Sequence, residues 1–405
     1  MKRSHKKVSE DAQRPLLFML NSTFPEYSGG RETWLCQVAT RLSNKGHDVR
    51  ILTLQGQKGR SPEHHLPSTV PIYRVSDPTM GLFGKMLTPG PLRLLRELGH
   101  AWQLRRFFLS QARYWSRKPL VIGLDTLVCP LAVFGLEAEF RFVCASKGPH
   151  ADVVAVNHPW AKRILHCLER GAYRRCVDLW SNGHDMYDYI EKQGYKSIVI
   201  GNGVDCADAL RPRLRPLEFS NIDAIRVVAV GTLGDIKGIS NAICALEKIR
   251  ISCPNDPVEL FFIGKGCAER YRTLARELNV ADNVHFLGSR SDVIPYMQHA
   301  SVLLCLSGGG GQSMAALESL GSGSPVIAWD TPIYRQLISD QINGILVPYN
   351  DNTKLAEAIL AVARLSTAER HTLGFEASKA VLGFDWDVVV DRIEQRISLL
   401  LVDHI

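Results

Sequence analysis

The sequence predicts an α/β protein made of two facing Rossmann-like, doubly wound domains. Three observations carry this expectation. Short apolar runs alternate with amphipathic helical stretches, the grammar of parallel sheets flanked by helices. The alternation begins near residue 15 and restarts near residue 224. Between the two lies 207–223, which holds Pro212 and Pro216, little periodicity and several charges, as expected of a linker. The 405-residue length also suits two domains of roughly 100–200 residues each. The expected organisation is a basic N-terminal stretch at 1–14, a first domain at 15–206, the linker, a second domain at 224–380, and a C-terminal helix within 381–405.

In the first domain, Pro15–Asn21 reads as a buried strand and Ser22–Gly30 as a turn-rich loop. A helix follows from Arg31 to about Lys45, because Trp34, Leu35, Val38, Ala39 and Leu42 fall on one stripe. Gly46 ends it, and Val49–Leu54 is the next strand. The second domain repeats the pattern with strand Ile225–Gly231, loop Thr232–Gly238 and helix Ile239–Arg250. Further strands are expected at Glu259–Ile263, Val284–Leu287, Val302–Leu306, Pro325–Ala328 and Ile345–Val347. The stretch Asp385 to Leu401 reads as an amphipathic helix.

Composition narrows the class. Apolar residues at 45% and charged residues at 22% are ordinary for a globular chain, which excludes disorder and small disulfide scaffolds. A net charge of +7 suits anionic ligands or surfaces and is too small to argue for nucleic acid. The ten cysteines are scattered with no C-x-x-C pair, so no metal is expected and a reduced, cytoplasmic compartment is. The apolar run Leu16 to Leu20 is too short for a signal core, and no run of 18 apolar residues occurs, so a soluble or peripherally attached chain is expected.

Four loops could carry chemistry. Gly29-Gly30 opens a helix, where backbone N–H groups can approach a phosphate or sugar. Val199–Asp205 ends a strand in a Gly-Asn-Gly turn. Gly231–Gly238 lies between strand and helix, so Lys237 can project as a phosphate partner; its pattern is not a P-loop. Ser307–Glu318 places four consecutive glycines before a helix, an arrangement that turns the N–H groups of Gly311, Gln312 and Ser313 into an anion nest with Glu318 further along the helix. Each of these loops is equally open to being an ordinary turn. Asp385-Trp386-Asp387 is better explained as acids at a helix start than as a metal motif. Two basic stretches, Leu92–Leu120 with interleaved aromatics and Trp160–Arg175, suit an anionic membrane surface or acceptor, or are simply solvated faces over core aromatics.

Taken in order, these loops resemble the GT-B glycosyltransferases of the group 1, or family 4, type. The matching pieces are Gly29-Gly30-Arg31-Glu32, Gly201-Asn202-Gly203-Val204-Asp205, Lys237-Gly238, Phe262-Ile263-Gly264-Lys265-Gly266, Val284-His285-Phe286-Leu287-Gly288, the block from Ser307 through Glu318 to Ala328, and Asn343-Gly344-Ile345-Leu346-Val347. The resemblance implies a metal-independent enzyme that moves a sugar, with retention, from a nucleoside-diphosphate sugar to a hydroxyl of a saccharide or lipid-linked acceptor. The nucleotide sugar would be a co-substrate, with no cofactor. It further implies cell-surface polysaccharide or glycolipid synthesis, at the inner face of a membrane.

By the same resemblance Lys237 would pair with the donor diphosphate and Glu318 would hold the ribose. Gly311, Gln312 and Ser313 would offer N–H groups, and Gly29 and Gly30 would approach the diphosphate. Arg31, Asp125, Lys147 and His150 are candidate acceptor or charge contacts. The chain departs from the family pattern where its diphosphate arginine falls on Thr232 and the first glutamate of its E-x7-E pair falls on Gly310. These departures support a second expectation, a weak or inactive relative that binds a nucleotide, a saccharide or a partner enzyme.

Overall fold

The computed structural model describes residues 14–24, 29–55, 65–76, 91–112, 114–115, 117–136, 140–146, 159–290, 292–309 and 312–402. It divides into two units, Met1–Ile200 with Val390–Ile405, and Gly201–Val389.

The first unit is a seven-stranded sheet: β1 (Leu16–Thr23), β2 (Val49–Leu54), β3 (Ile72–Val75), β4 (Leu120–Gly123), β5 (Arg141–Ser146), β6 (Asp178–Ser181) and β7 (Ile198–Val199). The order is β3-β2-β1-β4-β5-β6-β7 and every pairing is parallel. Such a sheet is covered on both faces, which is why the first five residues of β1, Leu16 to Leu20, and the whole of β4 read as unbroken apolar runs. The helix Gly30–Asn44 buries Trp34, Leu35, Val38, Ala39 and Leu42, the expected stripe.

The second unit is a six-stranded parallel sheet: β8 (Ile225–Val230), β9 (Val258–Ile263), β10 (Val284–Gly288), β11 (Val302–Cys305), β12 (Val326–Trp329) and β13 (Ile345–Val347). Its order, β10-β9-β8-β11-β12-β13, reverses direction between β8 and β11. A crevice opens at such a reversal outside the C-terminal strand ends, and the loops after β8 and β11 border it.

The segment 207–223 is not a free linker, and the division between units falls at Ile200/Gly201. The helix Cys206–Leu210 starts inside a cap made by Asp205, whose side chain accepts from the Asp208 N–H. Gln298 Nε2 donates to the carbonyls of Ala209 and Arg211. Phe219 is fully buried, its ring 4.7 Å from Phe261 and 5.6 Å from Tyr296. The prolines suppress periodicity without releasing the chain, because its polar atoms and one aromatic ring find fixed partners.

The last helix, Trp386–Val402, begins in the second unit and continues into the first. Within the first unit, Lys45 Nζ lies 2.6 Å from both Asp391 and Glu394, and Arg396 grips Asp178 with two hydrogen bonds of 2.7 and 2.9 Å. Val390, Ile393 and Ile397 are fully buried on its inner stripe.

One backbone approach shapes the second unit's crevice. A Cβ at Gly264, just after β9, would stand 1.9 Å from the Gly231 carbonyl oxygen, just after β8. Gly264→Ala must push these two loops apart. We expect it to lower the urea midpoint of unfolding, with a cost of at least about 1–3 kcal/mol.

Candidate functional site

Lys237 ends a 3-10 turn, Asp235–Lys237, in the loop after β8. Gly238 follows at φ +68°, and a Cβ there would lie 2.5 Å from Leu306 Cβ, so only glycine lets this turn close onto the end of β11. The Gly308 N–H donates to the Ile236 carbonyl at 2.8 Å and ties the glycine run to the lysine loop. The two loops that border the strand reversal are therefore one structure.

Lys237 lines a small cavity of ≈ 30 Å³ together with Gly231, Thr232, Cys305, Ser307, Ser313 and Tyr334. It has no ion-pair partner among the described residues. The loop's own acid, Asp235, is taken by the Arg270 guanidinium and by Tyr271 Oη at 3.2 Å. Burial holds the Lys237 ammonium below the usual lysine range, and Cys305 opposes that only in part. The Cys305 thiol is pushed up to about 12 by burial, so it is neutral at pH 7. The cation is thus desolvated without a counter-ion.

Ser313 caps the helix Met314–Gly321, its Oγ accepting from the Ala316 N–H. That helix buries Ala316, Leu317, Ser319 and Leu320. Glu318 is half-buried on the opposite, more open face, three residues from Ala315, which lines the Lys237 cavity. Its carboxyl has no hydrogen-bond or ion-pair partner among the described residues, and burial pushes it up to about 7.

Gln312 does something else. Its Oε1 accepts from the Asn202 N–H and its carbonyl from Asn202 Nδ2, both at 2.6 Å. This residue locks the Gly-Asn-Gly turn to the start of the helix, which occupies the carbonyl end of its amide. Thr232 is exposed at the cavity edge. Gly310 and Gly311 lie outside the described residues.

In the first unit, Gly29 precedes the helix Gly30–Asn44 as its N-cap. Arg31 Nη1 donates to Asn21 Oδ1 at 2.9 Å and is half-buried. Asp125 is not a free contact: it is buried, and its Oδ1 accepts from the N–H groups of Leu127, Val128 and Cys129 at the start of helix Val128–Val133. Spacing could have shown this, since Asp before an apolar helical run is a capping signal. Lys147 and His150 lie outside the described residues.

The aromatics of the basic stretch divide. Phe108 is buried and Phe107 packs on Tyr73, whereas Trp102 is 54% exposed beneath the Arg106 guanidinium. Lys162, Arg163, Arg170, Arg174 and Arg175 are exposed on helix Pro159–Arg175. No helix among the described residues is long and apolar enough to cross a membrane, and no three His, Cys, Asp or Glu side chains there could hold a metal ion. A roomier cavity of ≈ 680 Å³ flanks the edge strand β13, but its charges are already answered, Lys354 by Glu357 and Glu369 by Ser366. Sequence reasoning missed Tyr334, whose hydroxyl accepts from the Ser307 N–H at 3.1 Å at the cavity wall. No motif flagged it, because it lies far from the glycine run in sequence.

Residues 29–203 match the family described as "Glycosyl transferase 4-like domain", and residues 224–364 match "Glycosyl transferases group 1". A D-inositol 3-phosphate glycosyltransferase from Kribbella flavida is 30% identical over 379 residues, 89% of this chain and 88% of that protein. The chain belongs to the group 1 glycosyltransferase family. A phosphatidyl-myo-inositol mannosyltransferase from Mycobacterium leprae is 32% identical over 243 residues, and the match spans 60% of that protein. Two solved glycosyltransferase-fold neighbours share the GT-B architecture. Sucrose-phosphate synthase from Thermosynechococcus elongatus superposes with a TM-score of 0.76 over 96% of this chain and 99% of the other, at 18% identity. HepE from Anabaena, solved with UDP and glucose, gives a TM-score of 0.71 over 96% and 100%, also at 18% identity.

The Glu318 carboxyl sets a sign for pH. Its folded value near 7 exceeds the ordinary 4.5, so the native state keeps a proton that the unfolded chain releases. The associated stability is full below about 4.5 and is lost as pH rises through about 7. Glu318→Gln lacks this loss. Its melting temperature relative to wild type should therefore climb between pH 5 and pH 8, read by thermal unfolding.

Proposed function

We propose that the chain transfers a sugar from a nucleoside-diphosphate sugar to a hydroxyl of a saccharide or lipid-linked acceptor, with the second unit holding the donor. The observation that carries this is the uncompensated Lys237 ammonium at the β8/β11 reversal, next to a helix start capped by Ser313. A diphosphate answers both: it supplies the missing counter-charge and accepts from a helix N-terminus. Glu318, half-buried and without a partner, is positioned as an acceptor for ribose hydroxyls. Family membership and a fold neighbour solved with UDP support the same reading.

In the reaction the bond between the anomeric carbon and the β-phosphate oxygen breaks, the acceptor oxygen bonds to that carbon with retention, and the acceptor's hydroxyl proton passes to an oxygen of the departing diphosphate. The electron pair leaves with the diphosphate. Lys237 and the helix N-terminus stabilise that developing negative charge, so the transfer runs without a metal ion. Positioning of the two substrates supplies the rest of the acceleration. We further propose a cytoplasmic enzyme of polysaccharide or glycolipid synthesis whose first unit meets an anionic membrane through the exposed basic face of helix Pro159–Arg175.

A second reading rests on Thr232 and Gly310, which stand where the family pattern has an arginine and a glutamate. On that reading the chain binds a nucleotide sugar with little or no turnover. Product mass spectrometry over a panel of sugar nucleotides separates the two.

Lys237→Met removes a charge that burial penalises, so the melting temperature should hold or rise while affinity for UDP or GDP falls roughly 10- to 100-fold by calorimetry. Unchanged affinity would remove Lys237 from the site. Glu318→Ala should abolish turnover on whichever donor the panel identifies, and intact turnover would remove Glu318.

A further inference from the structure

The segment 210–222 presents apolar side chains to water although the chain around them is pinned. Leu214 is 92% exposed, Leu217 94% and Ile222 69%. Phe219 is buried in their midst, the Arg213 N–H donates to Gln298 Oε1 at 3.0 Å, and Glu218 bonds Tyr296 Oη at 3.0 Å. These leucines are therefore held outward by a fixed backbone. Burying each one would contribute about 2 kcal/mol, which the fold leaves unused.

Beside them lies positive charge with no carboxylate paired to it. Arg226, at the start of β8, donates Nε to the His299 carbonyl at 2.9 Å and Nη1 to the carbonyls of Asn221 and Ile222. Ser301 joins a second arginine to this one: its N–H donates to the Arg226 carbonyl, and its own carbonyl accepts from Arg370 Nη1 at 2.7 Å. Neither Arg226, Arg370 nor Arg215 forms an ion pair among the described residues. Burial first, then the charges of Arg215 and Arg370, hold Arg226 below the usual arginine value, while Glu259 pulls the other way. The acids next to the leucines are already neutralised, Asp208 by Arg213 at 2.7 Å and Glu218 by Arg290 at 2.8 Å. Asp223 is the remaining acid of the segment.

We propose that this surface of the second unit docks on an anionic lipid bilayer, with Leu214, Leu217 and Ile222 entering the boundary between headgroups and acyl chains and Arg215, Arg226 and Arg370 facing lipid phosphate. Charge complementarity selects this occupant. Single apolar side chains that protrude need a yielding apolar medium rather than a matched groove, and the flanking cations need anions at the same depth. The surface borders the N-terminal end of β8 and the turn before β11, whereas Lys237 lies past the C-terminal ends of the same sheet. Lipid at one edge leaves the other open. The inference is independent of sugar transfer and of the basic helix in the first unit.

The test places an environment-sensitive dye on Leu214→Cys in the full chain, with the exposed Cys167 and Cys267 changed to Ser. Vesicles containing phosphatidylglycerol should shift the dye emission to the blue, and pure phosphatidylcholine vesicles should not. Arg215→Glu should weaken binding to the anionic vesicles about tenfold or more, as should Leu217→Ser, measured by cosedimentation. Lys162→Glu with Arg163→Glu, on the first unit's helix, should leave the blue shift in place on bound protein. Cosedimentation without a blue shift assigns lipid binding to another surface and overturns the proposal. So does failure to sediment at low salt. A blue shift that grows with protein concentration in the absence of lipid identifies a second copy as the occupant and overturns it as well.

Discussion

A lysine held over the end of a parallel sheet, with no carboxylate among the described residues to answer it, is the condition on which the candidate site depends. Everything around Lys237 keeps it so. Asp235, two residues away, is drawn off by Arg270 and Tyr271. Gly238 lets the turn close onto Leu306, and the Gly308 N–H clips the glycine run to the same loop. The nearest polarisable neighbour, Cys305, is kept protonated by burial. A cation desolvated in this way gains more from an incoming anion than one in water, because the field between them is less screened. The fold itself carries that penalty, as sites organised for binding commonly do.

The contrast with other buried acids in the chain sharpens the point. Glu32 is buried and accepts from Ser22 Oγ; Glu169 is buried and accepts from Thr126 Oγ1 and Tyr189 Oη; Asp125 takes three backbone N–H groups. Each of these is a solved electrostatic problem, and each serves the fold of the first unit. Lys237 lies in the loop after β8 and Glu318 on the helix that follows the glycine run after β11, and neither is answered by a protein group among the described residues. Unsatisfied ionisable groups with burial-shifted titration gather at functional sites because a ligand completes them.

The alternation of apolar runs places eight strands to within one or two residues, since a strand buried on both faces has little other composition open to it, but it names none at Ile72–Val75, Leu120–Gly123, Arg141–Ser146 or Asp178–Ser181. Strand β13 was read as Ile345–Val347 and is Ile345–Val347. Lys237 and Glu318 were legible because they flank glycine-rich loops at strand ends. The role of Gln312 was not, because its partner Asn202 is 110 positions away and the pairing depends on how two turns meet. Asp125 carries a local capping pattern, and its carboxylate is engaged by the backbone N–H groups that follow it. The stretch 207–223 looked like a linker because proline hides order that comes from long-range partners such as Gln298 and Phe261.

On these proposals the second unit uses, at both ends of one sheet, positive charge that has no ion-pair partner among the described residues. At the C-terminal edge a single lysine sits in a narrow cavity beside a helix start, a geometry that suits a small, highly charged anion approached by several donors at once. At the N-terminal edge Arg226 and Arg370 give their hydrogen bonds to carbonyls, which fixes their position without an ion pair among the described residues, and nearly bare leucines stand beside them. Such an arrangement cannot enclose a small ligand, but it can meet a surface. On these proposals the length of the strands separates the two functions. An anion held by Lys237 and a lipid phosphate facing Arg226 do not compete for one charge, so occupancy at one edge need not exclude occupancy at the other.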